Sequence, residues 1–442
     1  MKARTRPAAA VTRPLRGDRL YARLSRFGPS PSAIVTSPEP LWTGNAAAAR
    51  RLASGVFLFG GALVEAPGGN PFDQKAPTAL WEEALHGFDW LDDLVATSDP
   101  ATRKALTGWL HDWVARYGSG AGPGWRPDIT GRRLTRWICH APTLLNGAGP
   151  DRSRAFFRTV GRQTRFLRRR WATAPEGLPR FQAAAGLIYA GLAVEGSGGA
   201  TIGTGIAALG REAERSIAND GGIPSRNPEH LVEIFSILVW AKQSLEEAGL
   251  QPAPAHVDAL ARLAAAIRAL RLGDGTLTRF HGGGSGDPER IDRALAAWGE
   301  RPSARIFETM GYHRLGTART TLFFDAGTRA SGHAATSAHA SAFCFEASIG
   351  QHPVIVNCGA GARFGIEWQM ASRATAAHSG LTIDNVSSAR FNHSNQLVRG
   401  AESISCVREE DANGVRLIAS HDGWLRTHGL VHHRRISLSA DG

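Results

Sequence analysis

From about Leu41 to Glu300, apolar residues recur at helical spacing in one amphipathic segment after another, and this succession constrains the fold more than any other feature. TALWEEALHGFDWLDDLV places Leu80, Ala84, Leu85, Phe88, Leu91 and Leu94 near one face, and PATRKALTGWLHDWVARYG repeats the pattern with Leu106, Leu110, Trp113 and Val114 before stopping at Gly118. RRLTRWICHAPTLL, SRAFFRTVGRQTRFLRRRW, FQAAAGLIYAGLAV, IGTGIAALGREAERSI, HLVEIFSILVWAKQSLEEAG and AHVDALARLAAAIRAL follow, separated by short Gly-, Pro- and Asp-rich loops. A chain of this kind folds as an α-solenoid or an α/α barrel. No fixed-period sequence repeat runs through it, so the reading is an incomplete α/α toroid over residues 41–303.

Near Arg305 the period changes. RIFETMGYHRLGTARTTLFFDAG, SAFCFEASIGQHPVIVNCG, SGLTIDNVSSARF, ESISCVREEDANGVRLIASHDGW and LVHHRRISLSADG are short alternating runs bounded by Gly, Asn and Asp. Residues 304–442 are therefore expected to form an antiparallel β-sandwich with Greek-key connections, and Asp411-Ala412-Asn413-Gly414 reads as a hairpin turn. About five strand-rich segments are few for a closed sandwich, which leads to the expectation that the C-terminal domain is incomplete. Residues 1–40, with repeated Arg and Pro, read as a basic tail with one short helix.

Composition fits a globular chain, with 43% hydrophobic and 20% charged residues. The formal net charge is +12 and is carried almost wholly by arginine, which suits bidentate contact with carboxylates, sulfates or phosphates. An Arg-, Ala- and Gly-favouring genome produces the same excess, so both readings stand. No zinc-finger, RNA-recognition or basic-aromatic pattern accompanies the arginines, and nucleic acid is not expected as a partner. Cys139, Cys344, Cys358 and Cys406 are spaced for neither a zinc ribbon nor a disulfide scaffold, and Cys344, between two phenylalanines, is expected in the core. The N-terminus lacks the apolar stretch of a secretory signal, and no window approaches the roughly 18 apolar residues of a membrane span.

The densest polar constellation lies between Ser331 and His378. His339 and His378 each sit among small residues just before an apolar strand, where a side chain is held firmly and a ligand can come close. Such histidines can shuttle a proton, ligate a divalent ion, or simply satisfy buried backbone carbonyls. A third metal ligand would have to be Asn357 or Cys358. Trp81, Trp90, Trp125 and Trp137 either stack on sugar faces or belong to the helical core, and helical spacing favours the core.

Several segments here resemble the heparinase II/III-like group of polysaccharide lyases. Gly311-Tyr312-His313-Arg314 matches the Gly-Tyr-x-Arg that opens that group's β domain. Ser337-Ala-His339-Ala-Ser341 leading into Cys344-Phe345, Val356-Asn357-Cys358-Gly359, and Arg373-Ala-Thr375-Ala-Ala-His378-Ser379 follow in the family's order. In the helical half, Asp220-Gly221-Gly222-Ile223-Pro224-Ser225-Arg226-Asn227-Pro228-Glu229-His230 resembles the family's segment at the start of a late toroid helix. The departures fall on chemistry. Ser337 stands where the family has the first histidine of its pair, Ser341 where it has an aspartate, and Asn357 where an aspartate joins two histidines around a structural zinc. His230 or Glu229 stands where it has the acid/base tyrosine.

The resemblance implies β-elimination on a uronic-acid-containing, acidic polysaccharide, with no organic cofactor. In that reading His230, His339, Ser337 and Arg226 form the catalytic set. Arg180, Gln182, Tyr312 and Arg373 bind substrate, and His339, Asn357 and His378 would hold one structural zinc. The same fold could instead serve a catalytically degenerate protein that binds an anionic glycan. A glycoside hydrolase would want two opposed carboxylates, and Asp220, Glu229 and Glu233 make no recognisable pair. The family's usual location is the periplasm or cell envelope, whereas the absence of a visible export signal keeps the cytoplasm open.

Overall fold

The computed structural model describes residues 14–40, 42–300, 306–317, 319–393 and 395–442. The chain forms two compact units, Met1–Glu212 with Trp240–His256, and Ala213–Val239 with Val257–Gly442. Residues 1–13 of the expected N-terminal tail lie outside the described residues, and its short helix is Arg16–Leu24.

The first unit is helical, as the spacing predicts, and its helix starts are chemically marked. Thr78 Oγ1 accepts from Trp81 N at 3.1 Å ahead of helix Ala79–Gly87. Asp99 Oδ2 accepts from Thr102 N at 2.8 Å ahead of Pro100–Tyr117, with Pro100 at the first helical position. Helices Pro127–Cys139 and Leu178–Ala193 pack closely because Gly131 and Gly186 face each other. A Cβ on Gly131 would fall 2.3 Å from Gln182 O, and one on Gly186 would fall 2.7 Å from Gly131 Cα. Trp81, Trp90, Trp125 and Trp137 are all buried, so they are core residues rather than sugar platforms. Arg133 is fully buried as well. It lies 4.1 Å over the Trp113 ring and donates to Gln163 Oε1, His86 O and Gly124 O.

One element inside the helical run breaks the period. Val56–Phe59 and Ala62–Glu65 form an antiparallel hairpin whose two-residue turn is Gly60-Gly61, both at positive φ (52° and 81°). The favoured two-residue hairpin turns need that conformation, and glycine adopts it without a Cβ penalty.

In the second unit, Glu308–Thr309, Tyr312–Thr317, Thr320–Asp325, Phe345–Ile349 and His352–Ile355 make one five-stranded antiparallel sheet in sequence order. Ile404–Asp411, Gly414–His421 and His432–Ser439 make a second sheet, also in sequence order, with Asp411 paired to Gly414 across the expected hairpin. Each sheet is a meander, which corrects the expected Greek key: strands consecutive in sequence are neighbours in the sheet, even where a long connection runs from Asp325 to Phe345 and from His421 to His432. Leu315, Leu322, Phe324, Phe343, Val415, Leu417 and Ala419 fill the core shared by the two sheets. Cys344 is buried beside it, as expected.

His421 is enclosed at the end of the second sheet. Its Nδ1 accepts from Gly423 N at 3.0 Å, and its Nε2 lies 3.1 Å from His432 Nδ1. Burial, aided by the His432 charge, pushes its pKa from 6.5 down to about 4. As pH falls below 6.5 the unfolded chain takes up a proton that the folded chain refuses until about 4, so stability declines across that window. Urea midpoints measured at pH 7 and pH 5 should show a loss in the wild type and a smaller loss in His421→Gln.

Candidate functional site

The second unit has a buried ion pair at its centre. Arg226, in a left-handed conformation at φ 52°, places Nη2 on Asp325 Oδ1 and donates from Nε to Met310 O at 2.6 Å. Asp325 ends the apolar strand Thr320–Asp325, which carries the carboxylate into the interior. Burial alone would raise the Asp325 pKa. The Arg226 charge and the neighbouring His281 reverse that and hold it well below the usual carboxylate range. Ser341 Oγ donates to Asp325 Oδ2 at 2.7 Å, and His281 Nε2 lies 3.5 Å from the same oxygen.

The loop His281–Gly286 ties this centre to the start of helix Pro228–Glu247. Asn227 caps that helix, its Oδ1 accepting from Glu229 N at 2.9 Å and His230 N at 3.2 Å. Its Nδ2 donates to His281 O at 3.2 Å, and Gly286 N donates to Glu229 Oε1 at 3.2 Å. Gly282 lies between cap and histidine: a Cβ there would sit 3.7 Å from His339 Nε2 and 3.9 Å from Asn227 Nδ2.

The proton positions on two histidines follow from their partners. His378 Nδ1 lies 2.8 Å from Ala374 O, and a carbonyl only accepts, so Nδ1 carries the proton. Burial lowers the His378 pKa to about 4, so the ring is neutral near pH 7 and its Nε2 is an acceptor. His339 Nδ1, 3.1 Å away, must then donate to it. That leaves the lone pair of His339 on Nε2, the nitrogen facing Gly282. Burial, with the charges of His378, His281 and Arg373, holds the His339 pKa well below 6.5 and keeps that lone pair free.

The zinc expectation does not fit this donor set. His339 and His378 are brought together, but Asn357 Oδ1 accepts from Ser379 N at 3.0 Å. Among the described residues, no three of His, Cys, Asp or Glu are grouped to hold a metal ion. Asn357 is engaged with Glu346 instead, its backbone N–H donating to Oε1 at 2.9 Å, while burial pushes the Glu346 pKa up to about 7.

Three of the expected site residues, Arg226 from the catalytic set and Tyr312 and Arg373 from the substrate-binding set, are turned inward. Arg226 is consumed by the ion pair and by carbonyls. Tyr312 is 1% exposed, and its hydroxyl donates to Arg226 O at 2.6 Å. Arg373 donates to Ala338 O, Asn395 O and Ala335 O, fixing the segment that leads into His339. A substrate carboxylate needs a donor with spare hydrogens facing solvent, and these side chains are turned inward. Ser337 is half-buried and donates to Ala334 O at 3.4 Å. His230 is half-buried beside Glu229 and Glu233; burial lowers its pKa more than those carboxylates raise it. Arg180 and Gln182 belong to the first unit. Arg180 there donates to Ala174 O at 2.9 Å and pairs with Glu176 and Glu212, and Gln182 is buried on its helix.

The sequence reading missed Asp325, His281 and Arg329. A carboxylate closing TTLFFD and a histidine before three glycines were the available signals. Arg329 is exposed and lines a cavity of about 20 Å³, room for one water, together with Asp325, His281, His339 and Ser341. It also borders an open cleft of about 690 Å³, along with Arg226, Asp220 and Ser331. Because the Arg226 charge is buried, Asp325→Asn should cost about 3–5 kcal/mol of folding stability. Chemical denaturation would measure it, and a loss under about 1 kcal/mol would contradict this account of the ion pair.

The sequence model of the heparinase II/III-like C-terminal domain matches residues 300–442. FtsZ-localized protein C of Caulobacter vibrioides is 32% identical over 433 residues, spanning 95% of this chain and 73% of that protein. The crystal structure of heparinase III superposes with a TM-score of 0.71 at 14% identity, covering 95% of this chain and 73% of that one. Heparan sulfate lyase HepC from Pedobacter heparinus superposes at 0.53 with 17% identity, covering 96% and 72%. At such identities the two structures report the fold alone, an α/α toroid followed by a β-sandwich. The family-model match, together with the relative aligned along nearly the whole sequence, establishes that this chain belongs to the heparinase II/III-like family.

Proposed function

We propose that this chain cleaves a uronic-acid-containing polysaccharide by β-elimination, with His339 as the base. The observation that carries the reading is the hydrogen-bonded row Ala374 O, His378, His339, which leaves a lone pair on Nε2 over a residue without a side chain. In the reaction the C5–H bond breaks and its proton passes to His339 Nε2. The electron pair forms the C4–C5 double bond, and the C4–O bond breaks. The protonated form of His230, which the neighbouring Glu229 and Glu233 favour against the effect of burial, supplies a proton to the leaving oxygen. Exposed Arg329 offsets the C6 carboxylate charge.

The test is ultraviolet absorbance from unsaturated uronides across a broad panel of uronate polymers. His339→Ala should lower any such rate by about 10²–10⁴-fold. No absorbance from any polymer, or full activity in His339→Ala, would end the reading.

A second reading is a binding protein of the same fold that has left the chemistry behind. It is favoured by the relative named for its localisation with FtsZ, and by Ser337 and Asn357 at positions where the resemblance expects a histidine and an aspartate. Here the chain should sediment with FtsZ filaments and colocalise with FtsZ as a fluorescent fusion. Failure of both would remove that support.

A further inference from the structure

His339 is held from two sides. On one side its ring meets His378. On the other, its backbone N–H donates to His281 Nδ1 at 3.0 Å. A nitrogen that accepts an N–H carries no proton, so the neutral His281 ring must be protonated on Nε2. That atom faces Asp325 Oδ2 and Ser341 Oγ, each at 3.5 Å, and both can accept from it. Arg226 Nη1 lies 3.0 Å from the same Nε2, but a guanidinium only donates, so with Nε2 protonated the two Nη1 hydrogens are directed to Thr328 O at 3.3 Å and Gly327 O at 3.5 Å. His281 itself sits at φ 46°, a conformation a side-chain-bearing residue keeps only when its surroundings enforce it. The enforcement is visible: Asn227 Nδ2 holds its carbonyl, and Gly282, at φ 84°, turns the chain away over His339 Nε2.

We propose that His281 is a positioning residue that couples the buried Arg226–Asp325 pair to His339 and sets how its Nε2 lone pair is presented. The inference rests on His339 being the base, but it concerns a residue outside the motifs that carry the family resemblance. His281 touches no reacting atom. Asp325 and Ser341 orient its ring, and the ring in turn fixes the backbone from which His339 projects. The two sides of His339 then demand opposite tautomers: His281 protonated on Nε2, His339 and His378 on Nδ1.

Long-range ¹⁵N–¹H correlation spectra of the full chain labelled at histidine, near pH 7.5, read these tautomers without substrate. The expected result is that set of three. A proton on His281 Nδ1 would overturn the proposal, and the wild-type spectrum decides this even if a variant fails to fold. His281→Leu, which cannot accept the His339 N–H, should replace the single His339 tautomer signature by an exchanging one. His281→Gln, whose amide oxygen can accept that N–H, should restore it. An unchanged His339 signature in folded His281→Leu would equally overturn the proposal. On a cleaved polymer, His281→Leu should lose about 10²-fold in kcat with KM little changed, and His281→Gln should recover most of it. The expected tautomers with no polymer cleaved would sink the lyase reading alone, whereas a wrong tautomer in an active lyase would sink this proposal alone.

Discussion

The ion pair between Arg226 and Asp325 is the interaction on which the second unit's polar interior depends. Each partner is almost fully enclosed, and neither charge could be left there alone, because uncompensated burial costs several kcal/mol even after the surroundings relax. The compensation extends past the pair. Arg226 Nε reaches Met310 O, Ser341 donates to Asp325, and the Arg226 guanidinium lies 4.7 Å over the Tyr312 ring. Arg226, His281 and Met310 all adopt positive φ around it. Strain of this kind costs of order 1–3 kcal/mol per residue and survives only where contacts over-determine it. The same charge that neutralises Asp325 thus fixes three backbone segments, including the turn before the second strand of the large sheet and the loop that faces His339.

The architecture was legible because it follows from periodicity. Helical spacing from Leu41 to Glu300 and alternating runs after Arg305 each report on many residues at once, so local exceptions such as the Gly60-Gly61 hairpin do not disturb the reading. The site was legible only in part. His339 and His378 lie in small-residue contexts that the sequence displays, and the structure brings them to 3.1 Å. Arg226, Tyr312 and Arg373 were placed in the right motifs but given the wrong direction: spacing tells which residues are near one another, not whether a guanidinium points to solvent or to a carbonyl. His281 and Asp325 are 44 residues apart in sequence, and nothing in either neighbourhood marks them as partners.

The departures from the family pattern become intelligible through these partners. Glu346 is fully buried, accepting from the backbone N–H groups of Arg279 and Asn357. A second carboxylate at position 357 would face that one in a low-dielectric interior, and two such groups cannot both ionise without large cost. The neutral amide avoids the conflict, and its Oδ1 remains free to hold Ser379 N–H at the end of the segment carrying His378. Asn357 therefore keeps a structural duty that does not require a metal.

Position 341 obeys the same logic more tightly. Its hydroxyl is 2.7 Å from Asp325 Oδ2, as a donor. An ionised aspartate there could only accept, so it would set two carboxylates against each other across a hydrogen-bond distance and would draw the Arg226 charge away from Asp325. Serine supplies a hydrogen where an aspartate would supply a charge, which leaves Asp325 as the single anion that Arg226, His281 and Ser341 all address. The loss of the family's aspartate at 341 and the presence of Asp325 with His281 behind it thus belong to one electrostatic arrangement. In that arrangement the orientation of His339 is set by hydrogen bonds within the protein.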